Sequence, residues 1–269
     1  MTASIVIPAA ASAAAPRFAG LGALVRKERM EWFRGRRAWV VLAVTTAFMT
    51  LTAANAWINT TLRQAFPSEE TAGLEPLSML PMDNIGAAIG AQFFILVSIF
   101  AVASLVIRER ESGTLAWVAS KPVSRSSIFA AKWITATAML AVVAAIVPLA
   151  ATVALAVPMY GEPPIVPVVA AGVGMMATVA FYAVLGIALG TILPSTSAVA
   201  GVAFAIFALP LFVGLVPLPL TQFMPHEILG WIMGVTVGQD VGFVTPIAYV
   251  VVTGAVAAYG MRRLERLEL

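Results

Sequence analysis

Long, uninterrupted runs of apolar residues dominate the chain, and short polar stretches separate them. Each run is close to the roughly 20 residues that a helix needs to cross the hydrocarbon core of a membrane. Because the apolar residues are continuous rather than alternating with polar ones, the pattern favours helices over the strands of a barrel. It predicts an all-α polytopic membrane protein with six transmembrane helices within residues 38–261. The six spans are placed near Ala38–Ile58, Ile85–Ile107, Trp133–Val157, Ile165–Leu193, Ala198–Leu218 and Phe243–Met261.

Before the first span, residues 18–37 combine apolar side chains at helical spacing with many basic side chains. This pattern predicts an N-terminal amphipathic helix that lies in the headgroup layer. Its apolar face comprises Phe18, Leu21, Val25 and Trp32. Glu28 falls inside that face, where a carboxylate needs a partner. We hypothesise that Glu28 pairs with an arginine that follows the second span, Arg108 or Arg110.

Between the second and third spans, residues 108–132 form a charged stretch between two apolar runs. Within it, Ser112–Ser120 is mildly apolar and long enough for about two helical turns. Pro122 ends this short helix because proline has no backbone N–H to donate. Ser124 is placed to cap the next helix. The stretch therefore predicts a short surface helix with charges at both ends.

Composition agrees with a membrane protein, because 61% of the residues are hydrophobic and only 11% are charged. Soluble domains carry about 25% charged residues. Of the sixteen Lys and Arg residues, only Arg63 lies outside residues 1–37, residues 108–132 and the segment after the last span. The positive-inside rule therefore places both termini and the 108–132 stretch in the cytoplasm. Residues 1–17 and 262–269 are predicted to be cytoplasmic tails, the first of them disordered.

On the opposite side, residues 219–242 contain too few apolar residues to cross the membrane, so we interpret this segment as re-entrant or interfacial. Two pairs of glycines spaced four apart, Gly86 with Gly90 and Gly186 with Gly190, would permit close helix packing, including at a subunit interface. Pro148 is expected to kink the third span.

The predicted spans contain no ionisable residue at mid-depth. Carriers coupled to protons or ions normally bury such groups, so the pattern favours a soluble external motor and an apolar or amphipathic substrate. There is no Cys, a single His (His226) and no phosphate-binding loop signature. We therefore expect no catalytic residue, no metal site and no cofactor bound by this chain. A net charge of +3 does not indicate nucleic-acid binding.

The 108–132 stretch resembles the membrane-spanning subunits, or permeases, of type-2 ABC exporters. The resemblance is carried by Glu109, Glu111, Gly113-Thr114-Leu115, Pro122-Val123-Ser124-Arg125, Ile128 and Lys132. Lys27-Glu28 similarly resembles the Lys-Glu pair of the family's amphipathic "elbow" helix. An ordinary cytoplasmic loop that follows the charge rule is the alternative interpretation of the stretch.

The resemblance implies a permease in the cytoplasmic (inner) membrane, paired with a second copy or a close homologue. Two ATP-binding ABC subunits, which carry ATP and magnesium, would dock beneath the pair. Ser112–Ser120 would be the coupling helix, with Leu115, Trp117 and Val118 as the main contacts and Glu109, Glu111 and Arg125 orienting the loop. The full set of expected partner contacts is Glu109, Glu111, Gly113, Thr114, Leu115, Trp117, Val118, Pro122 and Arg125. The expected elbow pairing involves Lys27, Glu28, Arg108 and Arg110.

An alternative function is a membrane anchor or signalling partner that recruits an ATPase without transporting a substrate. An intramembrane enzyme is disfavoured by the scarcity of ionisable residues in the spans.

Overall fold

The computed structural model describes residues 18–66, 77–213, 224, 227–236 and 238–267, with backbone only for 210–213. The predicted tail 1–17 and His226 lie outside these ranges. The described residues form helices and no strand. The helices of the first half are α1 (Leu21–Arg34), α2 (Arg37–Ala65), α3 (Pro81–Gly90), α4 (Phe93–Glu111), α5 (Thr114–Ala119) and α6 (Arg125–Leu140). A π-helical segment (Ala141–Ile146) precedes α7 (Val147–Tyr160), α8 (Ile165–Gly190), α9 (Thr196–Val213), α10 (Ile228–Thr236) and α11 (Val244–Glu265).

Within the described ranges, five helical segments are long and apolar enough to cross a membrane. They are Arg37–Ala65, Pro81–Glu111, Arg125–Tyr160, Ile165–Gly190 and Val244–Glu265. The all-α polytopic membrane fold is thus confirmed. The remaining predicted span, Ala198–Leu218, coincides with α9, whose apolar stretch Thr196–Leu209 is shorter. Because residues 214–218 lie outside the described ranges, the count of six spans stays a prediction.

Helix α8 lies at the centre of the bundle and packs against α4, α6, α10 and α11. Its close contact with α4 depends on two glycines of its last turns. A Cβ at Gly186 would lie 2.8 Å from Val102 Cγ1, and one at Gly190 would lie 2.9 Å from Val106 Cβ. This glycine pair therefore serves packing within the chain, as small residues do between membrane helices.

Two of the predicted spans are not regular helices. The second is divided between α3 and α4, because Gln92 adopts a left-handed conformation with φ of 51°. In the third, the π-helical segment ends two residues before Pro148. Proline cannot donate the backbone hydrogen bond and crowds the preceding turn, so the helix is locally irregular there. The predicted kink at Pro148 stays a prediction.

One predicted boundary differs from the structure, and another predicted segment is described in part. Helix α11 continues to Glu265, so the segment 262–269 begins as helix rather than as a tail. Of the external segment 219–242, the structure describes α10, which packs against α8 where Gly174 meets Leu229. A segment too short to span a membrane is thus folded onto the bundle.

Candidate functional site

Several charged residues predicted from the sequence meet at one end of the bundle, where α1, α4, α5 and α6 come together. Helix α1 packs against α6 through a face that contains the buried residues Leu24, Glu28 and Trp32. These three residues are four apart, so they lie along one side of the helix. The prediction that Glu28 falls within the apolar face is confirmed, since Glu28 is only 4% exposed.

A cluster of ion pairs surrounds Glu28 and joins three helices. The Nζ atom of Lys132 on α6 lies 3.0 Å from Glu28 Oε1 and 2.8 Å from Glu109 Oε2 at the end of α4. Lys27 Nζ lies 2.7 Å from the other oxygen of Glu109, 3.3 Å from Glu28 and 3.0 Å from Glu31. We call these five residues the ion-pair cluster. It links α1 to both ends of the charged stretch.

Electrostatics favour the charged form of Lys27 despite its partial burial. Burial alone would lower the pKa of its ammonium, but the carboxylates of Glu28, Glu109 and Glu31 outweigh this effect and raise it. The oxygens of these carboxylates lie within 4.8 Å of one another. The Lys27 ammonium bonds all three, so their mutual repulsion is compensated by a cation of the chain itself.

The predicted pairing of Glu28 with Arg108 or Arg110 is wrong, because Glu28 pairs with Lys132 and Lys27 instead. Arg110 donates to the carbonyl oxygens of Gly190 (3.1 Å) and Leu193 (3.0 Å). A cation at that position satisfies carbonyls that the end of α8 leaves free. Arg108 is exposed and forms no ion pair with a described residue. The sequence did contain a signal that Lys132 matters at this site, because Lys132 belongs to the motif that resembles permeases.

The short surface helix predicted at Ser112–Ser120 is present as α5, and Gly113 precedes it with φ of 71°. Its apolar residues separate into two groups. Leu115 is 1% exposed and Val118 7% exposed, because both pack against the protein's own core. Trp117 is 63% exposed, and the Lys121 ammonium lies 4.5 Å from the centre of its ring. Of the three predicted main contacts, only Trp117 therefore offers its side chain to a partner.

The loop after α5 is fixed to the start of α1. Ser124 donates its backbone N–H to the carbonyl of Ala19 at 3.2 Å. Its side chain caps α6 by accepting from the Ser127 N–H at 3.1 Å, which confirms the predicted cap. A Cβ at Gly20 would collide with the Val123 side chain. The loop and α1 thus approach as closely as a glycine permits.

Arg125, whose predicted contact with a partner stays a prediction, joins α6 to the C-terminal segment. Its guanidinium donates to the carbonyls of Glu265 (2.8 Å) and Leu267 (2.6 Å). Ser126 also hydrogen-bonds the Glu265 carboxylate. Of the other predicted contacts, Glu109 belongs to the ion-pair cluster, while Glu111, Gly113 and Pro122 are exposed and Thr114 is partly exposed.

The charged contacts at this end of the bundle join helices to one another. Lys132 bridges α1 and α4, Arg110 bridges α4 and α8, and Arg125 bridges α6 and the C-terminus. Helix α5 sits between these attachments with Trp117 facing outward. These contacts tie the two helices that flank α5, α4 and α6, to α1, α8 and the C-terminal segment.

Comparison with known proteins agrees with this architecture. The model of the ABC-2 family transporter proteins matches residues 23–258, which include most of α1, the charged stretch and most of α11. A search among curated proteins gave no match. Members of the family are membrane components of ABC transporters and work with an ATP-binding subunit. Because the match covers most of the sequence, this multi-pass membrane protein is a permease subunit that belongs to the ABC-2 transporter family.

Proposed function

We propose that the chain is the permease of an ATP-driven exporter that moves an apolar or amphipathic substrate out of the cytoplasmic membrane. Family membership supports the permease role. The substrate class is supported by the spans, since residues 133–160, 165–193 and 244–261 contain no ionisable side chain other than tyrosine. Away from the ion-pair cluster, these residues therefore offer none of the buried charges with which carriers bind ions or relay protons.

The proposed arrangement places both termini and α5 in the cytoplasm, in accord with the distribution of Lys and Arg. Two permeases pair, as a homodimer or with a close homologue, and two ATP-binding subunits dock on their α5 helices. ATP and magnesium belong to those partner subunits. ATP-driven movement of the partner displaces α5, and the attached helices tilt with it.

The observation that carries this proposal is the division of α5 into a buried and an exposed side. Leu115 and Val118 fix the helix to its own bundle, while Trp117 stands out at 63% exposure. Large aromatic side chains are common hot spots, where truncation costs about 2 kcal/mol or more of binding free energy. Trp117 is accordingly the proposed main contact, with Glu111 and Thr114 beside it.

The test is Trp117→Ala in the chain purified with its ATP-binding subunit. Docking should weaken by about thirtyfold, the equivalent of about 2 kcal/mol. Uptake of a fluorescent amphipathic probe such as rhodamine 6G into inside-out vesicles should fall in parallel. Trp39→Ala is the matched control, because Trp39 is also 63% exposed but lies at the start of α2.

Equal docking and transport in the Trp117→Ala and Trp39→Ala proteins would exclude α5 as the docking helix. If the native protein bound and stimulated the ATPase without ATP-dependent uptake of any amphipathic probe, the function would be that of a non-transporting anchor.

A further inference from the structure

A cavity of about 470 Å³ lies beside the ion-pair cluster, between the end of α1, the start of α2 and the end of α4. Its charged lining residues are Glu28, Glu31, Glu109 and Lys132 of the cluster, together with Arg36, Arg37 and Arg108. The cavity is therefore polar and strongly charged, unlike the surrounding bundle. Its size is within the range of pockets that hold small ligands.

The three arginines give this cavity an excess of positive charge. Within the cluster, the two lysines are bonded to the three carboxylates. Arg36, Arg37 and Arg108 form no ion pair with a described residue. The Arg37 guanidinium is repelled by Arg108 and attracted more weakly by Glu28 and Glu31. Like charges held close together favour an anion that both can bind.

Arg37 is held in place for such an anion. Its guanidinium donates to Ser104 Oγ at 3.0 Å and stacks over the Trp32 ring at 5.5 Å from the centroid. A guanidinium has five N–H donors in a fixed plane, which suits bidentate binding of phosphate. The Ser104 bond uses one donor, so others remain available for a ligand.

The position along the spans indicates where the anion would come from. Arg37 is the first residue of one membrane-crossing segment, and Arg108 is in the last turn of the next. Both lie at the edge of the apolar region. Trp39, two residues after Arg37, is exposed, as is typical of tryptophans at the headgroup level. A phosphate at this depth belongs to a phospholipid.

We propose that Arg36, Arg37 and Arg108 bind the phosphate of an anionic phospholipid, whose headgroup occupies the cavity next to the ion-pair cluster. Through its phosphate the lipid joins the start of α2 to the end of α4, and it is a bound ligand rather than bulk membrane. This inference depends on the membrane-spanning fold and not on the proposed exporter function.

The experiment is native mass spectrometry of the full-length protein in detergent, titrated separately with dioleoylphosphatidylglycerol and dioleoylphosphatidylcholine. One phosphatidylglycerol should bind at least tenfold more tightly than phosphatidylcholine. Arg37→Gln with Arg108→Gln should weaken its binding by about thirtyfold, at about fivefold for each arginine. Arg29→Gln with Arg34→Gln removes the same charge from exposed positions of α1 and should change the affinity less than twofold.

Arg108→Gln alone provides a variant that should fold normally, because Arg108 is exposed; it should weaken binding about fivefold. Equal losses in the two double variants would mean general attraction to negative charge and would overturn the proposal. So would equal binding of the two lipids. Soluble glycerophosphate that bound as tightly as phosphatidylglycerol would identify a water-soluble phosphate as the ligand and refute the lipid assignment.

Discussion

Replacing Lys132 with methionine tests whether the ion-pair cluster holds α1 against the bundle. Lys132 is 2% exposed and is the member that joins α6 to carboxylates of both α1 and α4. Methionine retains most of the apolar stem and removes the ammonium. The substitution therefore changes charge with little change in packing.

The expected loss of stability depends on which buried carboxylates the substitution leaves without a cation. Removing one partner of a buried ion pair costs about 3–5 kcal/mol, because the remaining charge is buried without compensation. Lys27 still lies 2.7 Å from Glu109 and 3.3 Å from Glu28, so part of the compensation persists. We expect a loss near the lower bound, about 3 kcal/mol. At about 2–4 °C for each kcal/mol in a chain of this size, the melting temperature should fall by about 6–12 °C.

The assay is thermal unfolding of the purified protein in detergent, followed by intrinsic fluorescence. Arg29→Met is the control, because Arg29 is an exposed cation on α1 and should change stability by less than about 0.5 kcal/mol. A double-mutant cycle with Glu28→Gln isolates the pair, with an expected coupling of about 1–3 kcal/mol. If Lys132→Met melted within the error of Arg29→Met, or if the coupling were zero, the cluster would not hold α1 in place.

Two further predictions concern α4 and α8. Gly190→Ala should destabilise the protein by about 1–3 kcal/mol, because the added methyl would overlap Val106. Gly254→Ala is the control and should leave stability unchanged, since nothing lies within 4 Å of the added methyl. A comparable loss of stability in both variants, measured in the same thermal assay, would argue against the close contact. Arg110→Gln should cost about 1.5–3 kcal/mol through the lost charge-assisted hydrogen bonds to the end of α8. The exposed Arg108→Gln should lose less than about 0.5 kcal/mol, and identical melting of these two arginine variants would contradict this role for Arg110.

Local patterns predicted several features of the candidate site. The apolar periodicity before the first span predicted α1 and placed Glu28 on its buried face. Pro122 and Ser124 marked the end of α5 and the start of α6, and the structure has the cap at Ser124. These features depend on a few neighbouring residues, so the sequence is sufficient to identify them.

Pairing between distant charges was not predicted correctly. Lys132 is 104 residues from Glu28 and meets it only because α1 packs along α6. Arg110 was assigned to Glu28, but the end of α8 lies beside it and supplies carbonyl oxygens. Several basic residues lie at the same membrane depth, and the sequence pattern fits each of them equally well as the partner of Glu28. Only the packing of the helices determines which one forms the ion pair.

The sequence by itself determined that this protein is a helical membrane protein with a charged stretch between its second and third spans. This is possible because a segment that crosses the lipid must be apolar and helical along its whole length, whichever helices pack beside it. The tertiary structure decided which side of each helix packs against other helices and which side stays exposed. It buried Leu115 and Val118 and left Trp117 exposed, and it gave Lys132 rather than an arginine to Glu28. Burial and ion pairing at these residues depend on which helices pack side by side. Contacts between helices far apart in sequence determine that packing.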